Sequence, residues 1–270
     1  MNEHSPEELV KLCRDLTAWP IMICLLGNFR LLQAGQPLSV RVGSKIEALL
    51  AYLALHHWRR VPREQLVQEL WPDSDLTLGL NSLNNLVHQL NKLLASALEG
   101  APAVLNQEGY YRLNEAAGIG IDVKCFDVLV DSGNQQLQAG DPAAALAFYR
   151  GAIKLYRNDL FASADAQSVI ERERLRSRYL RLLVHLAETY FQDKDYSSCL
   201  EYVWQLLAHD PYREDAHRLV MRCYVRRNER AAALRHYQVC VEMLREQLQV
   251  SPESATVALF EQIRLNPDSI

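Results

Sequence analysis

The chain has 270 residues, of which 49% are apolar, so it can bury a sizeable core and form two domains or one domain with a helical array. Its net charge of −4 argues mildly against non-specific nucleic-acid binding, although a duplex attracts local clusters of Lys and Arg rather than an average charge. Because no run of about 18 apolar residues could span a membrane and the N-terminus lacks a signal-peptide pattern, we expect a cytoplasmic protein without a membrane partner.

An N-terminal helix and a group of short strands are predicted in the first part of the chain. Ser5 can cap the helix and Pro6 suits its first position, and the helix should end before Pro20. Short apolar runs between residues 21 and 42, separated by glycine-containing pairs, then indicate two or three strands, the last over Leu38–Val42.

Three helices and a hairpin are predicted after the strands. Ser44 can cap the first helix, Pro62 starts the second, and the third begins near Asp75. After Pro102, two apolar runs flank Asn106–Gly109, which is a hairpin signal because the glycine can adopt a positive φ. This order of strands, three helices and a hairpin is that of a winged helix-turn-helix, whose third helix is placed to enter a groove of DNA.

The third helix has a polar face that consists mainly of amides. In "NSLNNLVHQLNKLL", residues 81–94, apolar residues recur at three- and four-residue intervals on one side. The opposite side carries Asn81, Asn85, His88 and Lys92, flanked by Asn84 and Gln89. Asn and Gln can pair with adenine in the major groove, so this face is a candidate base-reading surface. The alternative is that the face is solvated or contacts a protein.

From about Asp122 onward the sequence is helical and contains a repeat. Three aligned segments begin at Asp141, Asp195 and Glu229, and their equivalent leucines are Leu146, Leu200 and Leu234. The last two leucines lie 34 residues apart, the tetratricopeptide period, whereas the first two lie 54 apart, so the array is interrupted or contains a longer helix. Asp210-Pro211 and Ser251-Pro252 mark further helix starts. Stacked helix pairs form a concave surface, which could hold a protein or peptide partner.

Several segments of both halves are similar to those of one known family. Over Ile121–Ile263 these are "IDVKCFDVL", "ALAFYRGAIKLY", "ERERLRSRYLRLLVHLAETY", "LLAHDPYREDAHRLVMRCY" and "AALRHYQVCVEMLREQLQVSPE", and in the N-terminal half "EALLAYLAL", "LVQELWPD" and "GYYRL". The chain thereby resembles the antibiotic-regulatory-protein class of bacterial transcriptional activators, whose C-terminal part is the bacterial transcriptional activator domain. The resemblance implies a DNA-binding regulator that binds direct repeats near promoters and recruits RNA polymerase.

A mainly α protein in three parts is therefore predicted. These are an N-terminal helical extension (1–19), a winged helix-turn-helix DNA-binding domain with small β elements (20–115), and an all-helical, tetratricopeptide-like bacterial transcriptional activator domain (116–270). The predicted function is that of a sequence-specific transcription regulator that binds double-stranded DNA and acts as an activator. The alternative is a protein-interaction adaptor whose winged helix has weak or no affinity for DNA.

The third helix departs from the family pattern, which typically places several arginines there. The usual basic positions hold Asn84, Gln89 and Asn91, and Lys92 is the cation that remains. Between residues 20 and 113, eight Lys or Arg stand against seven acids, so the module is close to neutral. We expect contacts to phosphate from Lys45, Arg59, Arg60, Arg63 and, on the wing, Arg112. With so few cations, a monomer should bind weakly and need a homodimer or polymerase.

Catalytic, cofactor and metal sites are not predicted. The chain lacks the G-x-x-x-x-G-K-[ST], G-x-S-x-G and HExxH motifs, so we assign no catalytic residue and no cofactor and expect no enzyme. His56 and His57 point about 100° apart on a helix, which makes a poor metal site. Six scattered cysteines without a CxxC pair are expected to be buried thiols. The "ERERLRSR" run, residues 171–178, is expected to form a solvated, salt-bridged helix face; the alternative is a contact surface for the DNA-binding half or polymerase.

Overall fold

The chain folds into two compact units, Met1–Arg176 and Ser177–Ile270, and the division falls inside one long helix. The structure is a computed structural model that describes residues 5–39, 41, 43–161 and 166–266. The division into compact units does not test the predicted domain boundaries at residues 19/20 and 115/116, which stay predictions.

The first unit opens with helix α1 and a four-stranded sheet. Helix α1 (Pro6–Arg14) begins as predicted, with the Ser5 hydroxyl accepting a hydrogen bond from the amide N–H of Glu8. The strands are β1 (Ile21–Cys24), β2 (Arg30–Gln33), β3 (Gln36–Pro37) and β7 (Ile119–Ile121), in the spatial order β3-β2-β1-β7. β1 pairs antiparallel with β2 and parallel with β7. The third strand was predicted over Leu38–Val42; it lies earlier, and Val40 and Val42 are outside the described residues.

The winged helix-turn-helix has the predicted order of elements. Its helices are α2 (Lys45–Leu55), α3 (Arg63–Leu70) and α4 (Leu76–Leu94), and its wing is the hairpin of β5 (Val104–Gln107) and β6 (Tyr110–Leu113). A two-residue strand, β4 (Val61–Pro62), pairs with β6, giving a second sheet in the order β4-β6-β5. The Ser44 side chain caps α2 and the Asp75 side chain caps α4, so both predicted helix starts are confirmed. The apolar faces of the three helices form the core of this module.

The helical array starts directly from the first sheet. Helix α5 (Asp122–Gln138) follows β7 without an intervening residue and packs against α6 (Pro142–Leu155). The buried carboxylate of Asp122 accepts hydrogen bonds from the amide N–H groups of Leu25 and Leu26, at 2.8 and 2.9 Å. Burial raises the pKa of Asp122 to about 6, and the two amide bonds oppose that rise. Asp122 therefore fixes the end of β1 to the beginning of α5.

One expectation about side chains is wrong, and a second holds only in part. Cys13 of α1 and Cys125 of α5 form a disulfide, so not all six cysteines are thiols; the two are far apart in sequence and meet only through the fold. The charged run at residues 171–178 is salt-bridged as expected, with Arg174 paired to Glu171 and Arg176 to Glu173. It is solvated only in part, because Leu175 is fully buried and Arg174 also makes a tertiary contact. The Arg174 guanidinium donates to both carboxylate oxygens of Asp127 on α5, at 3.0 and 2.6 Å.

The second unit consists of paired helices. Helix α7 (Ala166–Gln192) is the long helix that separates the first two repeats, and it ends in this unit. It is followed by α8 (Tyr196–His209), α9 (Glu214–Arg226), α10 (Arg230–Met243), a π-helical turn (Leu244–Leu248) and α11 (Ser254–Leu265). The predicted starts at Asp210-Pro211 and Ser251-Pro252 are wrong by two to three residues, because α9 and α11 begin after Arg213 and Glu253.

The repeat alignment places small residues, more than leucines, at the centre of the helix pairs. Ala145, Cys199 and Ala233, each one residue before an aligned leucine, are all 1% exposed or less. Leu200 is buried at 7% exposure, whereas Leu146 and Leu234 are half-buried. Leu234 still packs against the apolar cluster of Met221, Ala233, Leu259 and Ile263. The small side chains allow the paired helices to approach closely.

Candidate nucleic-acid interface

Helices α3 and α4 form a helix-turn-helix whose crossing is fixed by a glycine. The Asp75 carboxylate accepts hydrogen bonds from the amide N–H groups of Thr77 and Leu78, which sets the start of α4. In the first turn, Gly79 is buried against Val67 of α3, and a Cβ at this position would lie 2.2 Å from Val67 Cγ1. The Val67 side chain of α3 therefore packs directly against the backbone of α4 at Gly79, and this contact fixes the orientation of α4 relative to α3.

The polar face of α4 contains a continuous exposed stripe. All six side chains of the predicted base-reading set are exposed, and five of them form the stripe, namely Asn81, Asn85, His88, Gln89 and Lys92. Within the part of the chain that the structure describes, none of the five makes a side-chain hydrogen bond or an ion pair. The apolar side of α4 is buried at Leu83, Leu86, Val87, Leu90 and Leu94. The stripe is thus rigidly presented and its amides are available to an external partner.

Asn84 belongs to the contact between α4 and the wing. Its Oδ1 accepts a hydrogen bond from the Tyr111 hydroxyl at 3.1 Å, and that hydroxyl accepts one from Asn106 Nδ2 at 3.0 Å. Burial raises the pKa of Tyr111. The base-reading role predicted for Asn84 stays a prediction: its carbonyl oxygen is bonded to the wing, while the residue itself is exposed.

Asn91 ties α4 to the first strand of the wing. Its Oδ1 accepts hydrogen bonds from the amide N–H groups of Ala103 and Val104, at 2.8 and 3.0 Å. An arginine at either 84 or 91 would lack these acceptors. Of the three amides that replace the basic residues of the family, Asn84 and Asn91 bind the wing and Gln89 does not. Contacts with the wing therefore explain part of the departure from the family pattern.

The wing ends in a tight turn that α3 supports. Glu108 and Gly109, between β5 and β6, both have positive φ, at 53° and 83°, which matches the twist of a two-residue hairpin. The amide N–H of Arg63 donates to the Gly109 carbonyl at 2.9 Å, and the Arg63 side chain lies beside the turn. The position of the wing tip is thus fixed by the first residue of α3.

The five cations predicted to contact phosphate differ in how they are held. Lys45 Nζ donates to the carbonyl of Leu70 at the end of α3, and Arg59 donates to Gln65. Arg63 pairs with Glu64 at 2.8 Å, where both side chains are about half exposed. Arg112 is half-buried on β6. Arg60 is exposed, and within the described ranges it has neither a hydrogen bond nor an ion pair.

A separate cavity lies in the second unit, among α7, α8 and α9. Its volume is about 460 Å³, and its charged lining residues are Glu188, Asp215, Arg218 and Arg222. Arg218 is held by Glu253 and Thr256 at the start of α11, at 2.7 and 2.8 Å. The mixture of charges and the apolar wall at Phe191 and Leu206 make it a candidate site for a peptide.

The described residues contain neither a metal-binding cluster nor a membrane-spanning helix. Among the described residues, no three or more His, Cys, Asp or Glu side chains come together in a way that could hold a metal ion. Over the same residues, no helix combines the length and the apolar character needed to cross a bilayer.

A winged helix preceded by strands, closed by a hairpin and joined to paired helices is the architecture of the antibiotic-regulatory-protein class of bacterial regulators, as the sequence predicts. The family model for the bacterial transcriptional activator domain matches residues 121–264. Because the match covers more than half of the chain, the protein belongs to this family.

Known relatives agree with this assignment to a family of transcription regulators. The transcriptional regulatory protein MoaR1 of Mycobacterium bovis and that of Mycobacterium tuberculosis are each 24% identical over 265 residues, which is 96% of this chain and 84% of the relative. Among solved structures, Mycobacterium tuberculosis EmbR in complex with a low-affinity phosphopeptide is similar, with a TM-score of 0.67. That alignment covers 93% of this chain and 68% of EmbR at 21% identity, so it shows the fold alone.

Proposed function

We propose that the protein is a sequence-specific DNA-binding transcription regulator that acts as an activator in the cytoplasm. Helix α4 enters the major groove, the wing lies beside it, and the helical array contacts RNA polymerase or a second copy of the chain. The observation that carries this proposal is the exposed stripe of Asn81, Asn85, His88, Gln89 and Lys92 on the second helix of a helix-turn-helix. An exposed stripe without internal partners has its hydrogen-bonding capacity left for another molecule.

Base reading is assigned to the N-terminal end of the stripe. In helix-turn-helix proteins the first residues of the recognition helix reach the base edges, so Asn81 and Asn85 are the readers. An asparagine pairs with adenine through N6 and N7, and each such pair gives roughly 1–3 kcal/mol of discrimination. His88 and Lys92 lie further along the helix and contact phosphate.

The phosphate contribution comes from few side chains. Arg60 is exposed, and Arg112 lies on the wing, whereas Lys45, Arg59 and Arg63 already have partners within the winged helix. Each phosphate contact adds to affinity independently of sequence. A single winged helix therefore binds weakly, and two copies on repeated sites, or one copy beside polymerase, give useful occupancy.

Selection of bound fragments from random DNA, at stated low and physiological salt, tests the proposal. The full chain should enrich a motif that contains A·T pairs. Asn85→Ala should relax the preference at one or two positions while leaving non-specific affinity unchanged, because an amide contact carries sequence information but no charge. Gln238→Ala is the matched control, since it removes an exposed amide from α10. Lys92→Ala should weaken all sequences alike and lower the salt slope by about one.

An adaptor function is the second candidate. It is favoured by the internal hydrogen bonds of Lys45, Arg59 and Arg63, which occupy donors that phosphate contacts would need, and by the cavity among α7, α8 and α9. The solved EmbR structure contains a phosphopeptide, so a peptide partner for this chain is proposed by analogy. Flat recovery of DNA at both salts, with no motif enriched, would favour the adaptor over the activator.

A further inference from the structure

An exposed leucine lies in line with the polar stripe of α4, at its N-terminal end. Leu78 is 65% exposed, more than any other large apolar side chain of this helix. At 100° per residue, its direction lies about 20° from that of Asn85, and Lys92 lies about 20° on the other side. Leu78 is thus the N-terminal member of the stripe and not part of the apolar side of the helix.

The first turn of α4 holds this leucine outward. Its amide N–H is bonded to the Asp75 carboxylate, which places Leu78 three residues into the helix. The next residue, Gly79, is pressed against Val67 of α3, so the helix cannot turn to bury Leu78 without losing that contact. An apolar side chain is therefore presented at the end of the helix that reaches furthest into a groove.

We propose that Leu78 determines sequence specificity by contacting the C5-methyl group of a thymine. This inference rests on the proposed DNA-binding function and adds a methyl contact that the amides cannot make. The major groove offers one apolar feature, the thymine methyl, and apolar side chains recognise it by excluding water. Asn81 and Asn85 read hydrogen-bonding edges, whereas Leu78 reads a methyl group one turn nearer to the helix start.

Replacing thymine by uracil isolates this contact, because the two bases differ only by the methyl group. The probe is the DNA motif enriched by the full chain, synthesised with one uracil at a time. Removing one buried methyl should weaken binding about fourfold at one position. Leu78→Ala should bind the thymine and uracil forms of that position equally. Leu93→Ala is the matched control, since Leu93 is also exposed, at 41%, but lies at the other end of α4; it should keep the fourfold difference.

The outcomes separate this inference from the function on which it rests. A fourfold effect of one uracil that Leu78→Ala abolishes and Leu93→Ala retains supports the thymine contact. A motif that is enriched but shows no such effect overturns the contact and leaves base reading by the amides intact. Absence of any enriched motif overturns both. If Leu78→Ala keeps all DNA affinities and lowers only transcription by added RNA polymerase, Leu78 contacts a protein and the inference is wrong.

Discussion

Removing the Asn91 side chain should destabilise the winged helix without touching the exposed stripe. Asn91 Oδ1 is the acceptor for two amide N–H groups, those of Ala103 and Val104, at 2.8 and 3.0 Å. Both of these residues are nearly inaccessible to solvent, at 0% and 3% exposure. Asn91→Ala leaves both N–H groups without an acceptor, at the point where the chain enters β5.

The size of the effect follows from the cost of unsatisfied donors. A buried N–H group that loses its partner costs about 1–3 kcal/mol, and water that enters the space left by the amide recovers part of this. We therefore expect Asn91→Ala to lower the free energy of unfolding by about 2–4 kcal/mol. Asn85→Ala, on the exposed stripe, should change it by about 0.5 kcal/mol or less. Asn91→Asp keeps a carboxylate acceptor in the same place and should be much milder than Asn91→Ala.

Urea unfolding of the full chain, followed by circular dichroism and tryptophan fluorescence, measures these differences. Because the chain has two compact units, the transitions are fitted separately. Hydrogen exchange gives a local measure, since the amides at 103 and 104 should lose protection in Asn91→Ala alone. If Asn91→Ala unfolds within 0.5 kcal/mol of Asn85→Ala and keeps that protection, Asn91 does not hold the wing, and its amide belongs with the base-reading set.

Two further predictions concern the second unit. Leu200→Ala should cost roughly 2–5 kcal/mol in urea unfolding, and Leu234→Ala only about half as much, because Leu234 is half-buried; equal costs would contradict the observed burial. Burial, and then the charge of His217, lower the pKa of His236 from 6.5 to about 4. His236 Nε2 lies 2.9 Å from His217 Nδ1. Since the folded pKa of His236 is below the unfolded one, its contribution to the free energy of unfolding is complete above pH 6.5 and is lost as the pH falls from 6.5 through 4, by at most about 3 kcal/mol. His236→Gln should flatten this dependence of the unfolding free energy on pH, and an unchanged dependence would refute the assignment.

The order of elements in the winged helix could be predicted because its signals are local. Ser44 and Asp75 each accept a hydrogen bond from an amide N–H within three residues, so the sequence around a helix start contains the whole interaction. The starts of α9 and α11 were misplaced because Asp210-Pro211 and Ser251-Pro252 lie in the non-helical segments before these helices. A capping residue followed by proline is typical both of a helix start and of a turn before a helix, and the packing of the helix pair decides which of these forms.

The roles of the α4 amides could not be predicted from their positions on the helix. Asn84 and Asn91 have the same functional group as Asn81 and Asn85, yet they lie where the wing crosses the helix. Their partners are 12 to 27 residues away in sequence, and a helical wheel contains no information about them. Strand β7 was missed for a related reason: its three residues become a strand only because β1 offers a free edge.

The absence of a spacer between β7 and α5 has a consequence for how the repeats of a promoter could be arranged. A DNA-binding module on a flexible tether can reach half-sites at many separations, since the tether adjusts its length. Here the paired strands β1 and β7 and the Asp122 carboxylate join α5 to the sheet directly, so α5 and the winged helix turn together. Two copies that associate through α5 or α6 would then tolerate insertions of a whole helical turn of DNA, about 10.5 base pairs, far better than insertions of half a turn.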